Sequence, residues 1–163
     1  GAMDYTPGAM LSMQPEIYCS ERPNSASIGT RAYQMALFVI FESGLQMMAD
    51  NPTLYYRNDE CTRYITQVPQ TWDETIAYVI VAKRKGDKWY IGGMTNNRQQ
   101  ERTFELDFDF LKEGQSYRMT SFEDGVNANR QAMDYRKKEY TLKKGDKIIV
   151  RLARNGGFAS VIE

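Results

Sequence analysis

The sequence predicts an α+β chain of two unlike parts: loop and helices through about residue 70, then an antiparallel β-sandwich or barrel over 71–163. Three patterns carry that expectation. From Ala32 to Met48 runs AYQMALFVIFESGLQMM, in which every residue from Met35 to Phe41 is apolar. At roughly 100° per residue, such a run puts apolar side chains on all faces of a helix, which must then be covered on every side. Beyond Trp72 the apolar period becomes two, most plainly where Phe104, Leu106, Phe108 and Phe110 alternate with Glu105, Asp107 and Asp109. Turn-forming residues punctuate this second part at short intervals, as in sandwiches and barrels.

Taken in order, the segment from Asp4 to Ser27 reads as irregular loop, broken by Pro7-Gly8, Pro15 and Pro23-Asn24. Asn24, Ser25 or Ser27 is expected to cap the first helix, because their side-chain oxygens accept the orphan N–H groups of a first turn. That helix is expected to reach about Asp50, stopped by Pro52. Gly44 within it costs about 1 kcal/mol against alanine; small Ser43 beside it suits close packing. A second helix covers Leu54 to Val68, with Asn58 or Asp59 as an internal cap and Pro69 as terminator. Strands are predicted over Ile76 to Lys83 and Trp89 to Thr95, joined by the Gly86-Asp87 turn. Thr103 to Leu111 and Tyr117 to Glu123 follow, then a turn at Asp124-Gly125. Glu139 to Leu142 and Lys147 to Ala153 make a hairpin across Lys144-Gly145-Asp146, and Phe158 to Ile162 is the last strand.

At 163 residues the chain can bury one core and an appendage. Its 21 basic and 21 acidic residues cancel, which excludes an electrostatic nucleic-acid binder. The longest apolar run, seven residues, falls far short of the roughly 20 that span a bilayer. The start lacks a basic-then-apolar leader, and Gly1-Ala2-Met3 reads as a cloning remnant. Cys19 and Cys61 are too few for a disulfide framework; they form one bridge or stand as two partly buried thiols. Histidine is absent, which removes Ser-His and Cys-His nucleophile pairs and histidine zinc sites.

Paired carboxylates are the catalytic option that remains. Asp107 and Asp109 share the polar face of one strand, side by side rather than across a pocket, and read as solvated surface. Asp59-Glu60 and Asp73-Glu74 are adjacent and point apart; they are expected to cap or to pair with Arg57, Arg63 or Arg84. The stretch from Asp124 to Asn129 (DGVNAN) is oxygen-rich, but its glycine stands second and no bidentate glutamate closes it. It reads as an Asx-stabilised turn and not a calcium loop. Gly92-Gly93 and Gly156-Gly157 read as bulges or turns. Trp72, Trp89 and Tyr90 could stack on sugar but are expected in the core, and the polar run from Asn96 to Gln100 serves equally as sugar contact or solvated turn.

Taken together, MDYTPGAM from Met3, GTRA from Gly29, ESGLQMMAD from Glu42 and PQTWDET from Pro69 resemble consecutive landmarks of glycoside hydrolase family 97. AKRKG from Ala82, WYIGGMTN from Trp89, DGVNA from Asp124 and GGFA from Gly156 continue the series in order. The resemblance implies the C-terminal portion of an α-glucosidase or α-galactosidase of the kind found in gut Bacteroidetes. The expected fold is a helical remnant of a (β/α)8 barrel over 1–70 and the complete C-terminal β-sandwich domain over 71–163. It also implies that the catalytic carboxylates and the calcium ligands belong to parts of the parent preceding Asp4, so this chain alone is expected to be inactive, with no cofactor of its own. Asp4 and Tyr5, at the end of a barrel strand, are the residues expected to border the sugar site. Tyr33 stands where the family usually has histidine, and the stretch from Thr75 to Val79 is shorter than the pattern.

On this reading the β domain buttresses the barrel and supports oligomerisation, and the parent acts on oligosaccharides in the periplasm. The alternative is a stand-alone carbohydrate-binding or oligomerisation module. With its barrel partners missing, the apolar helix is expected to be covered by a second copy of the chain or by domain exchange, unless it folds back on the sheet.

Overall fold

The structure, a computed structural model, describes residues 4–19, 25–77, 80–96 and 101–163. Its centre is a six-stranded antiparallel sheet. In chain order the strands of the β part are β3 (Glu74–Ala77), β4 (Ile80–Lys85), β5 (Lys88–Met94), β6 (Glu101–Asp107), β7 (Tyr117–Asp124), β8 (Tyr135–Leu142), β9 (Lys147–Ala153) and β10 (Gly157–Ile162). The sheet runs β3-β4-β5-β10-β7-β8, and β6 with β9 forms a separate two-stranded sheet over one face. Between the two sheets lie Trp89, Ile91, Leu106, Phe108, Met119, Val150, Leu152 and Phe158. The other face of the large sheet carries the helices. All six residues of β10 are buried because this central strand is covered on both sides.

Two strand expectations are corrected. The run Ile76 to Lys83 is not one strand; β3 and β4 pair antiparallel with Ile76 opposite Ala82, and Tyr78-Val79 lie outside the described residues. The segments flanking Lys144-Gly145-Asp146 do not pair with each other. β8 pairs with β7 and β9 with β6, so the turn carries the chain from one sheet to the other. The alternation of Phe104, Leu106, Phe108 and Phe110 does face inward, although β6 ends at Asp107.

The N-terminal part holds a short parallel pair, β1 (Ser12–Met13) with β2 (Ser27–Ile28), and three helices. Helix α1 spans Arg31–Ile40. Its cap is Thr30, whose Oγ1 accepts the Tyr33 N–H at 3.1 Å. Ser25 instead donates its hydroxyl to the Ala49 carbonyl, Ser27 belongs to β2, and Asn24 lies outside the described residues. The helix stops ten residues short of Asp50. Ser43 Oγ accepts the Leu45 N–H at 3.1 Å, a local bond that competes with the helix ladder just where Gly44 weakens it. From there the chain runs extended beside Tyr5 to Pro7. Met47 N donates to Tyr5 O and Ala49 N to Pro7 O, both at 3.2 Å, and the Tyr5–Gln46 bridge is parallel. Two parallel extended segments joined by a helix make a small β-α-β crossover.

The expected second helix is two: α2 (Pro52–Arg57), capped by Asn51, and α3 (Asp59–Gln67). They break at Asn58, whose Nδ2 donates to the Leu54 carbonyl and whose backbone leaves the helical region.

The cover of α1 comes from the chain itself: of the alternatives, the helix folds back on the sheet. Met35, Ala36, Phe38 and Val39 are buried against Tyr90, Phe122, Ala159 and Val161 of the sheet, Tyr64 and Ile65 of α3, and Met10. Glycine makes this seat. A Cβ on Gly92 would lie 2.9 Å from the Ala36 carbonyl oxygen, and one on Gly157 only 2.3 Å from Tyr33 Cα. Gly92, expected in a bulge or turn, stands mid-strand in β5, and Gly157 opens β10 directly after the turn that ends at Gly156; at both positions helix backbone touches sheet backbone.

Candidate functional site

Where helix and sheet meet, polar groups that sequence reasoning passed over are buried together. Asp124, at the end of β7, is 3% exposed. Its Oδ2 accepts the Ala153 N–H at 2.8 Å and the Gly157 N–H at 3.0 Å, tying β7 to both ends of the β9–β10 turn. Burial pushes its carboxyl up to about 6. The nearby Thr30 hydroxyl and the two amides oppose that shift, though Oδ1 lacks a well-formed hydrogen bond. Neighbouring Glu123 is also buried, holding Ser121, Tyr140 and Lys138. Consecutive strand residues face opposite sides of the sheet, so these two acids cannot work on one substrate.

At the other end of α1 stands Lys83, with its side chain 1% exposed. Its Nζ donates to the Ile40 carbonyl at 3.3 Å, lies 3.2 Å from Glu42 Oε1, and sits 5.3 Å from the Trp72 ring centroid. Desolvation holds the amine below its ordinary range, opposed by Glu42. A cation at a helix C-terminus satisfies an orphan carbonyl and the helix dipole together. The available signal was a lysine at period two from Val81, on the helix-facing side of β4. Arg31 is the third such group. Its guanidinium donates to the Met10 carbonyl at 2.7 Å and stacks over Tyr135, and Asp50 accepts the Met10 N–H. Burial raises the Asp50 carboxyl, partly offset by Met10 and Arg31.

Asp4 is exposed. Tyr5 sits at the start of the parallel pair with its ring edge-on to Phe41, and its hydroxyl reaches the Leu37 and Phe41 carbonyls, each at 3.4 Å. Burial raises that phenol to about 12. Around it Phe41, Leu45, Met47 and Met48 are exposed, an apolar strip along the second segment of the pair.

The remaining candidates are structural. Asp107 and Asp109 are exposed, and Asp107 Oδ1 accepts the Asp109 N–H. Asp59 pairs with Arg63, Glu60 with Lys137, and Asp73 and Glu74 with Arg84. In the Asp124–Asn129 turn, Asp134 accepts the Gly125 and Asn127 amides while Asn129 accepts Arg154 N, so these oxygens bind N–H groups. Trp89 and Tyr90 are buried, and Trp72 packs on Tyr90, which leaves no stacking platform at these three rings. Cys61 is buried and Cys19 exposed, as separate thiols. Asn97 to Gln100 lie outside the described residues. Among the described residues no cluster of three or more Cys, Asp or Glu could hold a metal ion, and no helix is long and apolar enough to cross a membrane.

A family model described as glycosyl-hydrolase 97 C-terminal, oligomerisation, matches residues 71–163. The whole chain is 43% identical to a retaining alpha-galactosidase of Bacteroides thetaiotaomicron, of which it covers 25%. A probable retaining alpha-galactosidase of Streptomyces bingchenggensis is 34% identical over 57% of the chain and 14% of its own length. A solved Glycoside Hydrolase Family 97 enzyme from Pseudoalteromonas sp. strain K8, in complex with acarbose, aligns with all of the chain and 26% of its own, at 29% identity and a TM-score of 0.83. The chain thus spans about a quarter of the length of the first relatives it matches.

Proposed function

Given that this chain belongs to glycoside hydrolase family 97, as its C-terminal portion, we propose that it is the non-catalytic support of a retaining hydrolase of α-galactosides. Residues 1–70 contribute a β-α-β remnant of the catalytic barrel, and residues 71–163 buttress that remnant and carry self-association. The seat of α1 on Gly92 and Gly157 is the observation that carries this reading. It makes the β domain one wall of the helical part. The exposed strip Phe41, Leu45, Met47 and Met48 lies on a parallel pair only two segments wide, and parallel sheets are normally covered on both faces. The rest of the parent supplies that cover.

Galactoside is preferred to glucoside because the two relatives matched by sequence, at 43% and 34% identity, bear the names retaining and probable retaining alpha-galactosidase. The calcium expected of the parent is assigned to parts of it outside this chain, and the periplasm is the proposed compartment. Asp4 borders the sugar site only as a proposal of the resemblance, since the Tyr5 hydroxyl is engaged at the end of α1.

The test compares the chain with its complete parent. The parent should hydrolyse p-nitrophenyl α-galactoside faster than the α-glucoside, with the anomeric configuration retained by NMR. The chain alone should turn over neither, and its tryptophan fluorescence should stay flat on titration with galactose. A preference for glucoside overturns the substrate assignment. Turnover by the chain, or a saturable fluorescence shift, overturns the support role.

A further inference from the structure

The large sheet is unevenly covered on its β6–β9 side, where two strands lie over six. A cleft of about 570 Å³ opens between β6 and the β3–β4 hairpin, floored by Ile76, Ile80, Ala82 and Ile91 and walled by Phe104 and Phe110. The edge strand beside it is β3. Exposed edges present unpaired N–H and C=O groups, and proteins guard them with charge. The opposite edge, β8, carries Arg136, Lys137, Lys138 and Glu139 in succession, and β6 carries Glu101, Arg102, Glu105 and Asp107. In contrast, β3 reads Glu-Thr-Ile-Ala, and its one charge is already neutralised by Arg84 at 3.1 Å. Of the two edges of the large sheet it is the less guarded, and it adjoins the cleft.

We infer that β3 and the cleft beside it form the surface through which this chain meets a second copy of itself, β3 pairing antiparallel with the partner's β3 about a two-fold axis. The inference rests on the reading of 71–163 as the self-associating part. A two-fold, isologous contact closes on itself, whereas head-to-tail use of the same edge would propagate. The strand is suited to its own copy. Antiparallel pairing centred on Thr75 sends the two Glu74 side chains to opposite sides of the axis, each held by its own Arg84, and sets Thr75 opposite the partner's Thr75, a favourable cross-strand combination. The two large sheets then become one, and each Ile76 shields the neighbouring cleft.

The test is a concentration series in analytical ultracentrifugation on the wild-type chain, Thr75→Lys and Ile149→Lys. Thr75 is exposed, so its substitution spares the monomer core while placing like charges together at the axis. Ile149, 71% exposed on β9, is the rival apolar surface. The wild type should dimerise, T75K should weaken the dimer at least about tenfold, and I149K should match the wild type. Dissociation by I149K with T75K intact overturns the β3 assignment and leaves self-association standing. A wild type that stays monomeric at every concentration overturns the underlying reading, and this one with it.

Discussion

Gly157→Ala tests the seat of α1 most directly. The new Cβ would stand 2.3 Å from Tyr33 Cα, 2.4 Å from Tyr33 N and 2.7 Å from Ala32 C. Ordinary carbon contacts lie at about 3.5–4.0 Å, so the first turn of α1 must retreat by more than about 1 Å. All three obstructing atoms are backbone, and no side-chain rotation relieves the clash. Retreat would loosen Met35, Ala36 and Val39 from Tyr90, Ala159 and Val161, and would pull on the Gly157 N–H that Asp124 accepts. Overpacking typically costs about 1–3 kcal/mol; a backbone clash belongs at the top, about 3 kcal/mol. For a chain of this size that corresponds to a Tm lowered by about 6–12 °C. Urea and thermal unfolding followed by circular dichroism measure it. Gly44→Ala is the control, because nothing lies within 4 Å of its Cβ position and its φ is not positive; it should stay within about 0.5 kcal/mol of wild type. If Gly157→Ala is as stable as the wild type and its α1 amides stay as protected, helix and sheet do not touch at this glycine.

Asp124→Asn removes a group whose folded carboxyl is raised from 3.8 to about 6. A raised acid keeps its proton in the folded state while the unfolded chain loses it, so this group's contribution to stability falls as pH climbs from about 4 through about 6. The stability of the variant relative to wild type should therefore improve by about 3 kcal/mol between about pH 3 and about pH 7; parallel pH profiles for the two proteins would refute the shift. Lys83→Met replaces a buried cation by an apolar chain of similar length, so global stability should change by less than about 1.5 kcal/mol. The Met47 and Ala49 amides should nonetheless exchange at least about tenfold faster in native-state hydrogen exchange, because the exit from α1 has lost its clasp; unchanged protection there counts against that role. Phe38→Ala empties a site 2% exposed, packed against Gly8, and should cost about 3–5 kcal/mol in urea unfolding. A loss below about 1 kcal/mol would mean that Phe38 is not core.

The strands that one periodicity governs were legible. Phe104 to Phe110 alternate because one face meets the large sheet, and Lys147 to Ala153 is found at its predicted bounds. What a single stretch cannot encode is its partner. Ile76 to Lys83 looks like one buried strand because both arms of the β3–β4 hairpin are apolar, and the Lys143–Asp146 turn is the same four residues whether it joins partners or crosses between sheets. The helix end was overrun because Leu45, Met47 and Met48 continue an apolar pattern that serves an extended segment beside Tyr5. Lys83 and Asp124 were missed because a charge reads as solvated until the carbonyl or amides that bind it are placed.

The apolar belt of α1 is therefore divided between two neighbours. One side lies on β5 and β10, where glycine lets the backbones meet; the other meets Gly8, Met10 and α3 through Phe38 and Ile65. A helix held this way cannot give up either neighbour without exposing part of a belt that is apolar all round. Cutting the chain before Glu74 would remove Tyr90, Phe122, Ala159 and Val161 from one side of α1 together, and with them the Asp124 anchor near Thr30 and the Lys83 clasp at Ile40. Both ends of the helix would loosen along with its face. That coupling ties the two parts together at α1: its ends are set within 1–70 by the Thr30 cap and the Ser43–Leu45 bond, and Asp124 and Lys83 of 71–163 lie against those same two ends.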